Sequence, residues 1–360
     1  MRDIGEGYLR VDDRGAEVAA LCAPGRTGRV THAHLRRALR GELDDVPEVL
    51  RVFVEELAQP PDWLDPALLE EGARFYRRLG RNAGDVLLQL SLIGGYRFGG
   101  PTDLLVLTGG LTGPATTRRL AETQHWTMAV TEPGALRPWA DGWRLTVHVR
   151  LMHALVNARL REDPRWDRQH WGEPINQSDQ AATLALFSGT LLLGVRALGV
   201  PVGREDSRAV MHLWRYVGWL LGVDDAWLFD DERAQHRFGY HVLRSQDGLT
   251  EAGRLLTHSI VDAQADLHFR HLAWLQRRYA PARLLSMLRP FLGTASMREL
   301  DLPVRLPWAT LQAVAANTVR YRVVGRTAPG RRRLDAWAAR YRQEQLHRYF
   351  GDAPPDVGAL

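Results

Sequence analysis

The sequence predicts an all-α protein, a single large helical domain, and three observations carry that prediction. Apolar residues recur at helical spacing through every long segment, strand-like alternation is hard to find, and helix start and stop residues bracket the periodic runs. With 360 residues, 45% hydrophobic and 25% charged, the chain can bury a sizeable core. Residues 1–55 read as an N-terminal helical extension, 56–328 as the main domain and 329–360 as a polar C-terminal tail.

The first clear helix is 66–80 (PALLEEGARFYRRLG), which opens on Pro66, places Glu70 and Glu71 early and Arg77 and Arg78 late, and stops at Gly80. Residues 116–132, 144–162, 178–198, 206–222, 250–278 and 307–324 follow with helical periodicity. Loops are marked by Pro60-Pro61, Gly99-Gly100-Pro101, Glu132-Pro133-Gly134, Gly172-Glu173-Pro174 and Pro201. The most apolar stretch, Thr183 to Val200, is interrupted by Arg196 and three small polar residues. It falls short of the roughly 20 apolar residues of a spanning helix, so no membrane span is expected. The opening MRDIGEGYLRVDD is charged and shows no signal-peptide pattern, and the expectation is a cytoplasmic protein.

Charge narrows the chemistry. All 47 basic residues are arginine, the usage of a GC-rich bacterial genome, and without lysine there is neither a Schiff-base amine nor a phosphate-loop lysine. The net charge of +5 is spread among interleaved acids, which reads as a solvated surface and not a nucleic-acid interface. The one tight cluster, Arg331 to Arg333, reads as an exposed tail or helix start. The single cysteine, Cys22, excludes an intrachain disulfide or a multi-cysteine metal site, and its Ala/Leu/Pro surroundings read as ordinary packing.

Two helices hold candidate functional residues. On 144–162, His153 shares a face with Val149, Arg150, Val156, Asn157 and Leu160, whereas His148 projects elsewhere. A buried arginine needs a partner, which a cofactor carboxylate would supply, and a neutral imidazole beside it suits an iron. The same spacing also fits a hydrogen-bonded core histidine. On 116–132, Arg119, Glu122, Thr123 and Trp126 stand at i, i+3, i+4 and i+7. That is either a polar patch in an apolar cavity or an intrahelical ion pair on a solvated face.

Four motifs in order, Arg119-x-x-x-Thr123, Val149-Arg150-x-x-His153, Gly172-x-Pro174-Ile175-Asn176-Gln177-x-Asp179 and His212-x-Trp214-Arg215-Tyr216-x-Gly218-x-x-x-Gly222-Val223, resemble the rubber-oxygenase/MpaB-type family over roughly residues 60 to 325. The resemblance implies a helical fold enclosing one haem b between helices, with dioxygen activated at its iron. His153 matches the family's proximal histidine and metal ligand. Arg119 and Thr123 match the arginine and threonine near the distal side, and Arg150 an arginine one turn before the ligand. Two positions depart from the pattern: Glu122 stands where latex-clearing enzymes can have lysine, and Asn157 where an arginine is often found.

The resulting expectation is a haem b oxygenase acting on an apolar small molecule and O2, with an electron donor unspecified. Arg119, Glu122 and Thr123 are its candidate catalytic residues; His153, Arg150, Arg119 and Asn157 are its candidate cofactor-binding residues. Glu122 would relay protons if its pocket is apolar. A competing design, a non-haem di-iron oxygenase, needs paired Glu-x-x-His motifs, and Glu122/His125 and Glu344/His347 match that spacing. A non-catalytic haem or hydrophobic-ligand binder is the third reading. His268 and His271 with Asp262 and Asp266 read as a solvated helix face, and Asn176, Gln177 and Asp179 as a cap for a helix starting at Ser178 or Asp179.

Overall fold

Asp65 shows how the local chemistry sets the elements: its carboxylate accepts from the backbone N–H groups of Ala67 and Leu68, and Pro66 opens the helix Pro66–Arg78. In this computed structural model, which describes residues 2–23, 25, 28–109 and 115–353, the described residues form helices and connecting turns with no strand. The all-α expectation holds.

The helix Pro66–Arg78 lies against Arg204–Leu220 at the centre. Their approach is close enough that a Cβ on Gly72 would sit 2.2 Å from the carbonyl oxygen of Ala209, so only glycine fits there. Around this pair, Trp143, Leu191, Leu192, Trp214 and Tyr216 are fully buried in the larger of two apolar clusters. The smaller cluster joins Ile93, Leu256, Ile260, Leu288 and Met297 beneath the helices Glu251–Asp266 and Ala273–Glu299.

Several elements differ from the periodicity. The run 178–198 is two helices, Gln177–Phe187 and Gly189–Ala197, broken at Ser188. The Gln235 side chain takes up the break, accepting from Ser188 Oγ and Gly189 N at 2.9 Å each. Taken from Gln177 to Ala197 the stretch is long and apolar enough to cross a bilayer (mean hydropathy 1.2), contrary to the shorter count from Thr183, yet half of it is buried within the fold. The run 250–278 is also two helices, because the chain reverses at 267–272 and Leu272 takes a left-handed backbone (φ 45°).

The expected polar tail is instead a helix, Ala328–Phe350, with Arg331 to Arg333 exposed in its first turns. Thr327 Oγ1 caps it by accepting from Gly330 N at 3.1 Å, and Pro329 stands at its start. Arg342 donates to Met128 O and Thr131 Oγ1, and Arg78 donates to Asp335, which docks this helix on Ala115–Val130 and Pro66–Arg78. Leu334, Ala338 and Tyr349 are buried there. The N-terminal segment is equally integrated: Glu173 N and Gln177 N donate to the carbonyls of Tyr8 and Arg10, and Ser178 Oγ to that of Ile4.

Candidate functional site

The helix Asp141–Leu160 carries the central residue, His153, and the short helix Asp13–Ala20 packs across it. Between them lies a cavity of about 140 Å3 whose wall includes His153, Asn157, Gln180, Asp12, Ala16 and Ala20. That space suits a few waters or a diatomic gas. Pockets for drug-sized ligands run to about 300–1,000 Å3, so a cofactor-sized ligand on His153 would extend beyond it.

His153 is enclosed by protein, and the part of its side chain that stays accessible borders this cavity. Burial pushes its pKa down to about 4; the Gln180 side chain works in the opposite direction, and the Arg119 charge adds to the lowering. The imidazole is therefore neutral at physiological pH. Its Nδ1 is buried and has no hydrogen-bond partner. Buried polar atoms are almost always satisfied, so an unpaired imidazole nitrogen is a lone pair or an N–H held for something else.

Arg150, assigned a cofactor carboxylate from the sequence, has a protein partner. Its Nε and Nη2 donate to the two carboxylate oxygens of Asp12 at 2.6 and 2.7 Å, and its guanidinium lies 5.1 Å from the centre of the Phe53 ring. The pair rests on Gly222, where φ is 81° and a Cβ would come within 2.7 Å of Arg150 Nε, which explains the glycine of the fourth motif. Asn157, also assigned to the cofactor, is spoken for by backbone: its Nδ2 donates to Ile175 O and its Oδ1 accepts from Ile175 N, at 2.9 and 2.8 Å. Both residues thus brace the wall of the His153 site.

The third motif is a scaffold of the same kind. Asn176 is the cap, as the motif suggested, accepting from Asp179 N at 2.8 Å, and the helix Gln177–Phe187 starts at Gln177 instead of Ser178 or Asp179. Glu173 is buried and receives Arg161 and Arg168, while Gln177 bridges Gly222 O and Asp224 N. Asp179 accepts from Asn176 Nδ2 and Gln246 Nε2, yet burial raises its carboxyl to about 6. In the fourth motif Trp214 and Tyr216 are buried, His212 Nε2 accepts from Asp65 N, and Arg215 stacks 4.1 Å from the Trp63 ring centre with Asp230 at 4.0 Å.

On the helix Ala115–Val130 the expected single stripe divides. Glu122 and Trp126 turn inward, with Trp126 Nε1 donating to Thr146 Oγ1, whereas Arg119 and Thr123 are exposed. Glu122 pairs with Arg118 at 3.0 Å and with Arg119 at 3.5 Å. Arg119 nonetheless acts electrostatically on His153 and on Tyr96, whose buried hydroxyl has no partner and whose pKa is raised by burial. Sequence reasoning missed Asp12, Gln180 and Tyr96. Only Gln180 carried a signal, standing directly after the third motif.

The di-iron donors are not assembled. Glu344 is exposed and paired with Arg348, His347 Nδ1 lies against Gly351 O, and among the described residues no group of three or more His, Cys, Asp or Glu side chains is placed to hold a metal ion. His268 bonds the carbonyl of Arg348 instead of joining His271. Cys22 donates weakly to Val18 O, and burial raises its thiol pKa.

Residues 78–329 match the family described as ER-bound oxygenase mpaB/B'/rubber oxygenase, catalytic domain. The chain belongs to this family. It is 26% identical over 288 residues to the rubber oxygenase of Streptomyces sp. (strain K30), covering 77% of this chain and 67% of that protein. A solved structure of latex clearing protein in the closed state superposes with a TM-score of 0.74 at 20% identity, covering 94% of this chain and 91% of the other, which establishes the shared all-helical fold. Family membership makes this an oxygenase-family chain, and the match spans the Arg119, Glu122, Thr123, Arg150 and His153 positions.

Proposed function

We propose that this protein is a haem b-dependent oxygenase acting on an apolar small molecule, with His153 the residue that would bind its iron. The observation that carries the reading is a neutral, half-buried imidazole on the cavity wall whose buried Nδ1 has no hydrogen-bond partner. A bare metal ion needs three or more protein donors, whereas a macrocycle-held iron needs one axial histidine. The donor set fits the second requirement.

Haem, when bound, supplies the iron at which dioxygen is activated. The chain's own residues do the rest. Asp12 and Asn157 hold the ligand helix through Arg150 and Ile175, fixing the direction of His153. Gln180 stands against the imidazole and orients the ring. Arg119 offers a guanidinium near His153, suited to a propionate or to a developing negative charge, and the exposed Thr123 hydroxyl is available as a donor one turn away. Glu122 positions Arg119 through their ion pair. An apolar substrate class follows from the relatives' names, rubber oxygenase and latex clearing protein.

The test is the absorption spectrum of the purified chain after expression with haem precursor, combined with a pyridine haemochrome assay and metal analysis. One haem b per chain, followed by dioxygen consumption with an apolar alkene, supports the reading. Two irons without haem, or haem without any oxygen uptake across such substrates, overturns it.

A further inference from the structure

A second surface, independent of the His153 site, carries its own chemistry. Leu275 and Tyr279 stand one turn apart at the start of the helix Ala273–Glu299, with Leu272 at its N-cap and Trp274 beside them. Tyr279 meets Trp308 with the rings tilted and their centres 5.7 Å apart, and Trp308 shares the exposed face of its own helix, Trp308–Asn317, with Leu311. The connecting loop adds Val304 and Leu306. All of these side chains are exposed, Trp274 by 67%, Leu306 by 74% and Leu311 by 66%. Scattered exposed leucines are ordinary, but a continuous aromatic and aliphatic face assembled from two helices and a loop marks a contact surface.

The face is held in place from below. Ser286 Oγ donates to Leu306 O at 2.7 Å and accepts from Ala309 N at 3.0 Å, so the loop is pinned by its backbone while its apolar side chains point outward. The residues around it are basic. Arg270, Arg277, Arg278 and Arg305 are exposed, and among the described residues none of them has an ion-pair partner. The acids within residues 267–311 are Glu299, already paired with Arg97, and Asp301, while Asp262 and Asp266 end the preceding helix.

We propose that this face docks the protein on an anionic lipid bilayer, with Trp274, Leu306 and Leu311 entering the headgroup boundary and the four arginines resting on lipid phosphates. Tryptophan and tyrosine favour that boundary because one end of each ring is apolar and the other polar. Arginine matches phosphate through its planar donor fork. Neither half of the attraction is strong alone, and amphipathic surfaces bind membranes through the two together. A second copy of the chain is a poorer occupant, since an isologous contact would press four unpaired arginines against four more.

The experiment is co-flotation of the full chain with vesicles of phosphatidylcholine alone or mixed with phosphatidylglycerol, at low and raised salt, with light scattering of the free protein. The expected result is binding only to the phosphatidylglycerol vesicles, weakening as salt rises. Trp274→Ser with Leu306→Ser lowers that binding by about tenfold or more, as expected when two large apolar side chains stop entering an apolar phase. Arg277→Glu with Arg278→Glu abolishes it. Both variants alter exposed positions, and unchanged circular dichroism and melting show that they fold. Absence of binding to phosphatidylglycerol vesicles overturns the proposal, as does equal binding to both vesicle types or unchanged binding by both variants. A dimer that the Trp274→Ser/Leu306→Ser pair dissociates, without vesicle binding by the wild type, assigns the face to self-association instead.

Discussion

Arg150 reaches 138 positions back along the chain to close a bidentate pair with Asp12, both side chains largely buried (9% and 12% exposed) one turn from His153. The pair ties the helix Asp141–Leu160 to the N-terminal segment that walls the cavity. An Arg–carboxylate fork of this kind specifies one orientation of the two elements more than it adds stability, because both charges must first leave water.

Removing one partner is the costly change. Asp12→Ala leaves a buried guanidinium uncompensated and is expected to lower stability by about 3–5 kcal/mol in urea denaturation. The double replacement Asp12→Ala with Arg150→Met is expected to recover most of that loss. A double variant as unstable as the single one would mean that the pair contributes through its own attraction.

Glu122 gives a prediction that separates binding from chemistry. Its carboxylate holds Arg118 and Arg119 but touches none of the residues that brace the His153 helix. Glu122→Ala is expected to retain haem while altering CO and dioxygen binding kinetics, read by flash photolysis. Loss of haem from that variant would make Glu122 part of the scaffold.

Asp179 makes stability depend on pH in an unusual direction. Its folded pKa of about 6 lies above the ordinary 3.8, so between those values the folded chain binds a proton that the unfolded chain releases. Its stabilising contribution is complete below the unfolded value and is lost as pH rises through about 6. Relative to Asp179→Asn, the wild type is expected to gain up to roughly 3 kcal/mol on acidification from pH 7.5 to 4, because each pH unit separating the folded and unfolded values is worth about 1.4 kcal/mol. A difference between the two proteins that is flat with pH would contradict the burial of this carboxyl.

Much of the helical framework was legible because its signals are local. Pro66 with Asp65 before it, the stripe through His153 and the break at Pro201 each act within a turn of the chain. What was hidden is set by distant partners or by exceptions to residue preference. Nothing in the neighbourhood of Arg150 announces Asp12, and nothing near Asn157 announces the Ile175 backbone. The break at 267–272 contains neither glycine nor proline, and Leu272 takes the left-handed conformation that glycine usually supplies. The C-terminal helix read as a tail because its charges mask a thin buried line of Leu334, Ala338 and Tyr349. Its cap, Thr327 followed by Pro329, was the available clue. At the candidate site the motif order pointed to His153, whereas its cavity neighbours Gln180 and Asp12 needed the fold.

The most direct measurement is the Soret absorption and haemochrome content of His153→Ala beside His148→Ala, both expressed with haem precursor. The first variant is expected to lose its Soret band and the second to keep one haem b per chain. A His153→Ala protein that retains haem with an unchanged spectrum would contradict the assignment of His153 as the iron ligand.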